Sequence, residues 1–233
     1  MIPPARDGFA HVTDWIFDVD NTLYPRTSNL FAQVDRLITG YVMEVTQLDF
    51  DAARLQQKAW YRDHGTTLRG LMHVHGVDPD HFLSIVHDID YSPVAAHPEL
   101  VDTIRALPGR KFILTNADTG HAAAVLARLG GSEDMFDGIV DIRAMKYSPK
   151  PTPEAYAALL EGHGIAPDRA AMFDDLEKNL VVPHESGMRT VQVVAPEDYV
   201  HDQIEAWELA RTADAPHIHH RTDDLFGFLS ALR

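Results

Sequence analysis

A chain of 233 residues, 45% hydrophobic and 24% charged, has the composition of a globular protein with one large domain or two smaller ones. Its 20 Lys and Arg against 35 Asp and Glu leave a formal net charge of −15, the wrong sign for binding nucleic-acid polymers through their phosphates. The lack of cysteine excludes disulfides, thiolate zinc sites and cysteine nucleophiles. No run of about 18 apolar residues and no signal-peptide pattern occur, which predicts a soluble, cytoplasmic protein without a membrane partner.

The first predicted element is an apolar strand that leads into two acidic residues. The stretch WIFDVDNTLYP begins at Trp15 and places Asp18 and Asp20 one residue apart. Two carboxylates so close repel each other, so a cation or a chemical role must compensate them.

A long helical stretch follows. Between 27 and 92, the segments NLFAQVDRLITGYVMEV, DAARLQQKAWYRDHG, TTLRGLMHVHG and PDHFLSIVHDI have helical spacing and no convincing strand. We therefore expect an all-helical cap at 27–92, inserted after the first strand, and a core formed by 1–26 and 93–233. The cap should act as a lid close to Asp18 and Asp20.

The remaining chain alternates short apolar strands with helices. Strands buried on both faces are predicted at 15–18, 111–115, 138–142, 170–174 and 190–194. Helices are predicted in AHPELVDTIRAL, TGHAAAVLARLG and TPEAYAALLEGHG. This order predicts a Rossmann-like, doubly wound α/β domain with a parallel sheet, which binds ligands beyond the carboxyl ends of its strands.

Polar residues that follow these strands should converge at that edge. They are Asp18, Asp20, Thr115, Asn116, Asp174 and Asp175. A carboxylate cluster of this kind is stable around a hard cation, and oxygen ligands without cysteine favour magnesium over zinc. Lys150, between two prolines in YSPKPTPEAY, can supply a fixed positive charge.

Four short motifs, DVDNT, LTN, PKP and FDD, resemble in order and spacing those of the haloacid dehalogenase-like hydrolase superfamily, from about residue 14 to 194. The resemblance implies that Asp18 attacks phosphorus to form an aspartyl-phosphate, while Asp20 protonates the leaving oxygen and later activates water. Thr115 and Lys150 would hold the phosphoryl oxygens.

The same resemblance implies a Mg²⁺ ion. Its ligands would be Asp18, the backbone carbonyl of Asp20, and the acidic pair Asp174 and Asp175, with Asp175 in the directly ligating position. The residue at position 20 also separates chemistries within the superfamily. A dehalogenase forms its ester at carbon and needs no leaving-group acid there, so an aspartate favours phosphoryl transfer.

A closer resemblance is carried by FDVDNTLYP, YRDHGTTLRGL, TNADTGHAAAVLARLG and FDDLEKNL, which are similar to the pyrimidine 5'-nucleotidase branch. It implies a nucleoside monophosphate substrate such as UMP or CMP. The candidate substrate-facing residues of the lid are Tyr24, His64, Thr66, Thr67 and Arg69. At the second motif, Asn116, Asp118 and His121 would complete the pocket or orient the lid.

Simpler explanations compete for several motifs. DVDNTL begins like a calcium loop, but Leu23 stands where an EF-hand needs glycine and Asn29 where it needs glutamate. Asp174 and Asp175 could cap a helix, and Thr66 could be an N-cap. HVH at 73–75 and HIHH at 217–220 would place pairs of imidazoles on one face of a strand, yet neither pair has a third ligand, so mostly exposed histidines are expected.

Other functions remain compatible with these residues. A phosphatase for phosphoglycolate or a sugar phosphate would use the same core, as would a phosphohexose mutase. A non-enzymatic phosphate sensor is disfavoured, because none of the motif carboxylates has been lost. The expected partner is therefore a small-molecule phosphate. Nothing in the sequence specifies an oligomeric state.

Overall fold

Six parallel strands form a single sheet in the computed structural model, which describes residues 6–196, 199 and 212–232. The strands lie in the order β3-β2-β1-β4-β5-β6. Their bounds are β1 Asp14–Phe17, β2 Arg110–Leu114, β3 Gly138–Val140, β4 Ala170–Asp174, β5 Arg189–Val193 and β6 His220–Thr222. The predicted α/β class with a doubly wound parallel sheet is confirmed.

The edge strand β6 was not among the five predicted strands. It is only three residues long, His220–Thr222, and reads HRT, so it has neither an apolar run nor a clear alternation. It pairs with β5 through Val191, Gln192 and Val193. A short polar edge strand of this kind is defined by its neighbour in the sheet, which the local sequence does not reveal.

Two apolar cores cover the two faces of the sheet because successive residues of a strand point to opposite sides. Trp15 and Phe17 belong to one core, which includes residues of helices α5 (Pro98–Arg105), α6 (Thr119–Leu129) and α9 (Leu225–Ser230). Ile16 belongs to the other, which includes residues of α7 (Pro153–His163). A short helix, α8 (Val181–Glu185), packs against this second core through Val182.

Four helices lie within the predicted cap segment: α1 Phe31–Thr46, α2 Phe50–His64, α3 Thr67–His75 and α4 Pro79–Val86. Their buried residues belong to the same core as Ile16 of β1. Helix α3 approaches α2 closely at Gly70, where a Cβ atom would lie 2.5 Å from Cβ of Trp60. None of the helices in the described part of the chain is both long and apolar enough to cross a membrane.

Strand register brings the polar strand ends together. Phe17 of β1 pairs with Ile113 of β2 and Phe173 of β4, and the Asp18 N–H donates to the Phe173 carbonyl at 2.9 Å. The residues that follow, Asp18 and Asp174, therefore lie side by side on the two central strands. This is the edge at which open parallel sheets bind ligands.

The histidine pairs do not have the predicted strand geometry. His73 and His75 lie exposed on helix α3, where residues two apart point in different directions. In the second segment His219 is exposed, but His217 and His220 are half-buried. Within the described residues, the group of side chains close enough to hold a metal ion contains no histidine.

His219 has a structural role that makes folding sensitive to pH. Its Nδ1 accepts the Thr190 N–H at 3.1 Å. Although much of the residue is exposed, partial desolvation of its ring, followed by repulsion from Arg189 and His184, lowers the pKa of His219 to about 4. Below about pH 6.5 the unfolded chain then binds more protons than the folded chain, so this contribution to stability falls as pH drops from 6.5 toward 4.

We expect His219→Asn to reduce this pH dependence, because the asparagine oxygen can accept the same N–H without titrating. Between pH 7 and pH 5 the unfolding free energy of the native protein should fall by about 1 kcal/mol more than that of the variant, a value reduced for the partial exposure of the ring. Urea unfolding at both pH values measures the difference. Parallel pH profiles would contradict the assignment.

Candidate active site

Lys150 joins the ends of the two central strands. Its side chain is 1% exposed, and Nζ lies 2.9 Å from Asp18 Oδ1 and 2.6 Å from Asp174 Oδ2. Burial disfavours the charged amine, but attraction to Asp174 and Asp18 outweighs it and raises the pKa of Lys150. The lysine is therefore a fixed cation between two strand-end carboxylates.

The loop that carries Lys150 is held by Asn116 at the end of β2. Lys150 N–H donates to Asn116 Oδ1 at 2.8 Å, and Asn116 Nδ2 donates to the Lys150 carbonyl at 3.2 Å. The neighbouring Thr115 is fully buried, and its Oγ1 accepts the Ala117 N–H at 3.1 Å. Thr115 and Asn116 both line the cavity beside Asp18.

The acidic cluster is short of positive charge. Asp18, Asp174 and Asp175 have carboxylate oxygens within 4.8 Å of one another, and among the described residues two cations pair with them: Lys150, and Arg26, which pairs with Asp175. Burial, and repulsion from the neighbouring carboxylates, raise the pKa of Asp18 well above its usual range despite the attraction of Lys150. Burial likewise raises the pKa of Asp175 to about 7. Such an all-oxygen donor set with unbalanced negative charge fits a hard divalent cation.

Asp174 and Asp175 differ in their surroundings. Asp174 is fully buried, and its oxygens accept from Lys150, Asn179 Nδ2 at 2.9 Å and the Leu176 N–H at 2.9 Å. Asp175 instead lines the cavity. The helix-capping alternative for Asp174 thus applies to one of its oxygens, while Asp175 presents its carboxylate to the site.

Asp20 is held by two hydrogen-bond donors, Tyr24 and His121. Its Oδ1 accepts the Tyr24 hydroxyl at 2.5 Å and Nε2–H of His121 at 2.8 Å. Burial opposes ionisation of this carboxyl, but the charge and hydrogen bond of His121, together with Tyr24, lower its pKa to about 2. Asp20 is therefore ionised at neutral pH in this state.

A cavity of about 180 Å³ separates this edge of the core from the cap. On the core side it is lined by Asp18, Asp20, Asn21, Thr115, Asn116, Lys150, Asp175 and Asn179. On the cap side many residues are apolar, namely Phe31, Val34, Ile38, Leu68, Phe82, Leu83 and Val86. The site thus has a charged floor and a largely apolar roof, a combination that suits an organic phosphate.

Polar residues of the roof are paired with one another. Asp35 accepts hydrogen bonds from Arg54 Nη1 at 2.7 Å and Gln57 Nε2 at 2.7 Å, and Lys58 Nζ lies 3.3 Å away. Asp35, Gln57 and Lys58 all line the cavity. Because its charge is compensated inside the cap, Asp35 does not leave an isolated negative charge facing a phosphate.

The structure brings only some of the predicted substrate-facing residues to the cavity. Thr66 and Thr67 line it, although Thr66 Oγ1 also accepts the Arg69 N–H at 3.2 Å and so caps α3. His64 and Arg69 do not line it, which corrects their predicted placement. His64 ends α2 with its ring 5.6 Å from that of His73, and Arg69 is half-exposed on α3.

Three other candidates lie behind the site rather than in its wall. Tyr24, expected to face the substrate, is instead buried against Asp20, as is His121, which was expected to complete the pocket or orient the lid. Asp118 is also absent from the cavity wall. It accepts the His121 N–H at 2.8 Å and lies 3.2 Å from Nδ1 of His87, next to the cap. Its role in completing the pocket or orienting the lid stays a prediction.

Sequence reasoning missed several residues of the site. Arg26 directly follows the stretch WIFDVDNTLYP, and the need for a cation near the strand-end carboxylates was a signal that could have found it. His87 and Tyr91 lie at the far end of the cap segment, and both contact His121. No local pattern marks them, because their partner is about 30 residues further along the chain.

The family is shown by a match that covers more than half of the chain. A profile described as haloacid dehalogenase-like hydrolase matches residues 16–180. The chain therefore belongs to the haloacid dehalogenase-like hydrolase family. The matched span includes the four strand-end motifs and all four helices of the cap segment.

Individual relatives are distant. The yeast protein "Phosphate metabolism protein 8" from Saccharomyces cerevisiae is 25% identical over 215 residues, which is 85% of this chain and 64% of that protein. The chain thus matches less than two thirds of that relative's length.

Solved structures agree on the fold. A mutant of CbbY from Rhodobacter sphaeroides in complex with xylulose-(1,5)bisphosphate has a TM-score of 0.61 and 17% identity, over 95% of this chain and 99% of that one. A HAD phosphatase from Thermococcus onnurineus has a TM-score of 0.58 and 17% identity, over 95% and 96%. At these identities the likeness shows the fold alone.

Proposed function

We propose that this hydrolase is a magnesium-dependent phosphomonoesterase that works through an aspartyl-phosphate on Asp18. The observation that carries the proposal is the second carboxylate, Asp20, held by Tyr24 and His121 beside the same cavity as Asp18. A hydrolase acting at carbon needs no acid there, whereas a phosphate ester needs one for its leaving oxygen. The name of the yeast relative is in keeping with phosphate chemistry.

The proposed reaction has two steps that share one proton carrier. Asp18 Oδ attacks phosphorus while the bond from phosphorus to the ester oxygen breaks, and Asp20 gives its proton to that oxygen. Asp20 then takes a proton from water, which attacks phosphorus and frees Asp18 and inorganic phosphate. The incoming phosphate repels the Asp20 carboxylate and so raises its low pKa toward the protonated form that the first step needs.

Fixed positive groups complete the site. Lys150, held between Asp18 and Asp174, and the hydroxyl of Thr115 would bind the phosphoryl oxygens as charge moves during transfer. Asp18, the Asp20 carbonyl and Asp175 would hold Mg²⁺, with Asp174 behind them. When bound, the ion would shield the phosphate from the attacking carboxylate and fix its orientation.

For the substrate we propose a pyrimidine nucleoside monophosphate, UMP or CMP, in the cytoplasm. The resemblance of the core and cap motifs to pyrimidine 5'-nucleotidases supports this choice. So does the roof of the cavity, where Phe31 and Phe82 offer apolar surface to a base. Glycolate or an open-chain sugar has no comparable apolar surface to bury.

Phosphate release from a panel of esters tests the proposal. UMP, CMP, dTMP, AMP, GMP, phosphoglycolate and sugar phosphates are compared with magnesium and with excess EDTA. A preference for UMP or CMP that chelation abolishes is the expected result. Metal-dependent release of phosphate from another ester would support the phosphatase proposal and contradict the nucleotidase proposal. Transfer of phosphate between positions of a sugar, with little release, would indicate a mutase instead.

Metal binding can be measured without turnover. We expect Mg²⁺ to raise the melting temperature of the native protein, because a ligand that binds only the folded state stabilises it. Asp175→Asn should raise the apparent Kd for Mg²⁺ by about tenfold or more, since it replaces a charged ligand with a neutral one. Asp168→Asn, a change at an exposed residue between α7 and β4, is the matched control. Equal magnesium shifts in all three proteins would contradict the site.

A further inference from the structure

Two stacked imidazoles join Asp20 to the cap: His121 of the core is buried, and His87 at the end of α4 is half-buried. His121, in the first turn of α6, is 1% exposed and reaches Asp20 Oδ1 with Nε2 at 2.8 Å. His87, the residue after the last turn of α4, stacks on it with ring centroids 4.6 Å apart and an interplanar angle of 28°. The carboxylate proposed as acid and base is therefore backed by a ring that in turn contacts the cap.

Hydrogen bonds fix the His121 ring at both nitrogens. The Tyr91 hydroxyl donates to the His87 carbonyl at 3.1 Å, so its oxygen accepts from Nδ1 of His121, which lies 3.0 Å away. Nε2 must also carry a hydrogen, because an ionised carboxylate can only accept. The ring cannot turn without breaking the bond to Tyr91 or the bond to Asp20.

Further polar contacts connect His121 and His87 to both the core and the cap. Asp118 accepts the His121 N–H at 2.8 Å and lies 3.2 Å from Nδ1 of His87. Arg143, which follows β3, donates to Asp118 at 3.2 Å and to Asp80 of α4 at 2.7 Å. The base of α6 is thus joined to the cap helix α4 by side chains from both.

We propose that His121 is a positioning residue for Asp20, and that its stack with His87 makes the placement of Asp20 depend on a docked cap. The proposal rests on the proposed phosphatase function, in which Asp20 serves the leaving oxygen. Tyr24 and His121 both bind Oδ1, so among the described residues the two donors leave Oδ2 for the substrate. An acid must lie within about 3.2 Å of the atom it protonates, and a misplacement of about 1 Å costs on the order of 100-fold in rate.

The test compares two esters that differ in their need for an acid. The phenolate released from phenyl phosphate is basic and needs a proton, whereas p-nitrophenolate leaves with little help. His121→Leu should lower kcat/KM for phenyl phosphate by about 100-fold but for p-nitrophenyl phosphate by less than about tenfold. His121→Gln, whose amide can donate to Asp20, should recover about tenfold of the loss on phenyl phosphate. A merely structural role would lower both values equally and show no recovery, and either outcome overturns the proposal.

Two more variants complete the experiment. His87→Leu removes the stack but not the bond to Asp20, and it should show the same dependence on leaving group with a smaller loss; equal losses on the two esters would overturn the link to the cap. His163→Gln is the matched control, because this histidine packs on Phe112 near the start of β3. The candidate active site lies at the opposite edge of the sheet, at the carboxyl ends of the strands. It should leave both kcat/KM values unchanged.

A crystal structure of His121→Leu decides the proposal independently of turnover. The Asp20 carboxylate should leave the position in which Tyr24 and His121 hold it, and an unchanged position would overturn the positioning role. If the native protein hydrolyses neither aryl ester nor any ester of the nucleotide and sugar phosphate panel, the proposed phosphatase function fails, and this second measurement still gives a result for His121.

Discussion

Asp18→Asn should abolish turnover while leaving the fold intact. The change removes the attacking oxygen but nearly preserves the shape of a side chain that is buried at the end of β1. The loss in kcat should be on the order of 10⁴-fold or more, as for other nucleophile replacements. Stopped assays with the preferred ester of the panel, at enzyme concentrations high enough to detect slow turnover, measure it.

For the same variant we expect turnover to be lost but stability to be kept or increased. The pKa of Asp18 is raised in the folded protein, so folding disfavours its ionised form at neutral pH. A neutral asparagine removes that cost, and Lys150 keeps Asp174 as a partner. In EDTA the melting temperature of Asp18→Asn should therefore equal or exceed that of the native protein. A lower value would show that Asp18 has a structural role that the loss of turnover could merely reflect.

Asp20→Asn is the control that separates the two carboxylates. It keeps the nucleophile, so a phosphorylated protein should form slowly and break down slowly, and it can be trapped by acid quench and detected by mass. Residual turnover of Asp18→Asn above about 1% of the native rate would contradict the covalent mechanism. Unchanged rates of both steps in Asp20→Asn would reject its role as acid and base.

The sheet and the floor of the site could be predicted because they depend on local patterns. Apolar runs marked five of the six strands, and parallel strands place the residues that follow them at one edge. Knowing the order of Asp18, Thr115 and Asp174 along the chain was then enough to expect them together. The sixth strand had no such pattern, because its three residues are polar and lie at the edge of the sheet.

The contacts of the residues that lie behind Asp20 could not be predicted in the same way. His121 was expected to complete the pocket or orient the lid, yet it lies behind the carboxylate because α6 starts directly after β2 and runs back along the sheet. Its partners His87 and Tyr91 are 34 and 30 residues away in sequence. Such contacts depend on how the cap packs against the core, which periodicity and spacing do not specify. The same dependence on packing explains why His64 and Arg69, which were expected to face the substrate, do not line the cavity.

Lys150→Met should both stop turnover and strongly destabilise the protein. The lysine is buried between Asp18 and Asp174, and methionine has a similar volume but no charge. Two buried carboxylates would lose their common cation, and breaking a buried ion pair from one side costs about 3–5 kcal/mol. Urea unfolding in EDTA measures the loss of unfolding free energy.

Three comparisons show whether charge is the cause. Lys146→Met changes an exposed lysine of the same loop and should alter stability by less than about 0.5 kcal/mol. Lys150→Met combined with Asp174→Asn should be more stable than Lys150→Met alone, because one of the unpaired carboxylates is gone. Mg²⁺ should stabilise Lys150→Met more than the native protein, since the ion would no longer be repelled by the ammonium group. Stability of Lys150→Met within about 1 kcal/mol of native in EDTA would mean that the cluster tolerates its charge without this lysine.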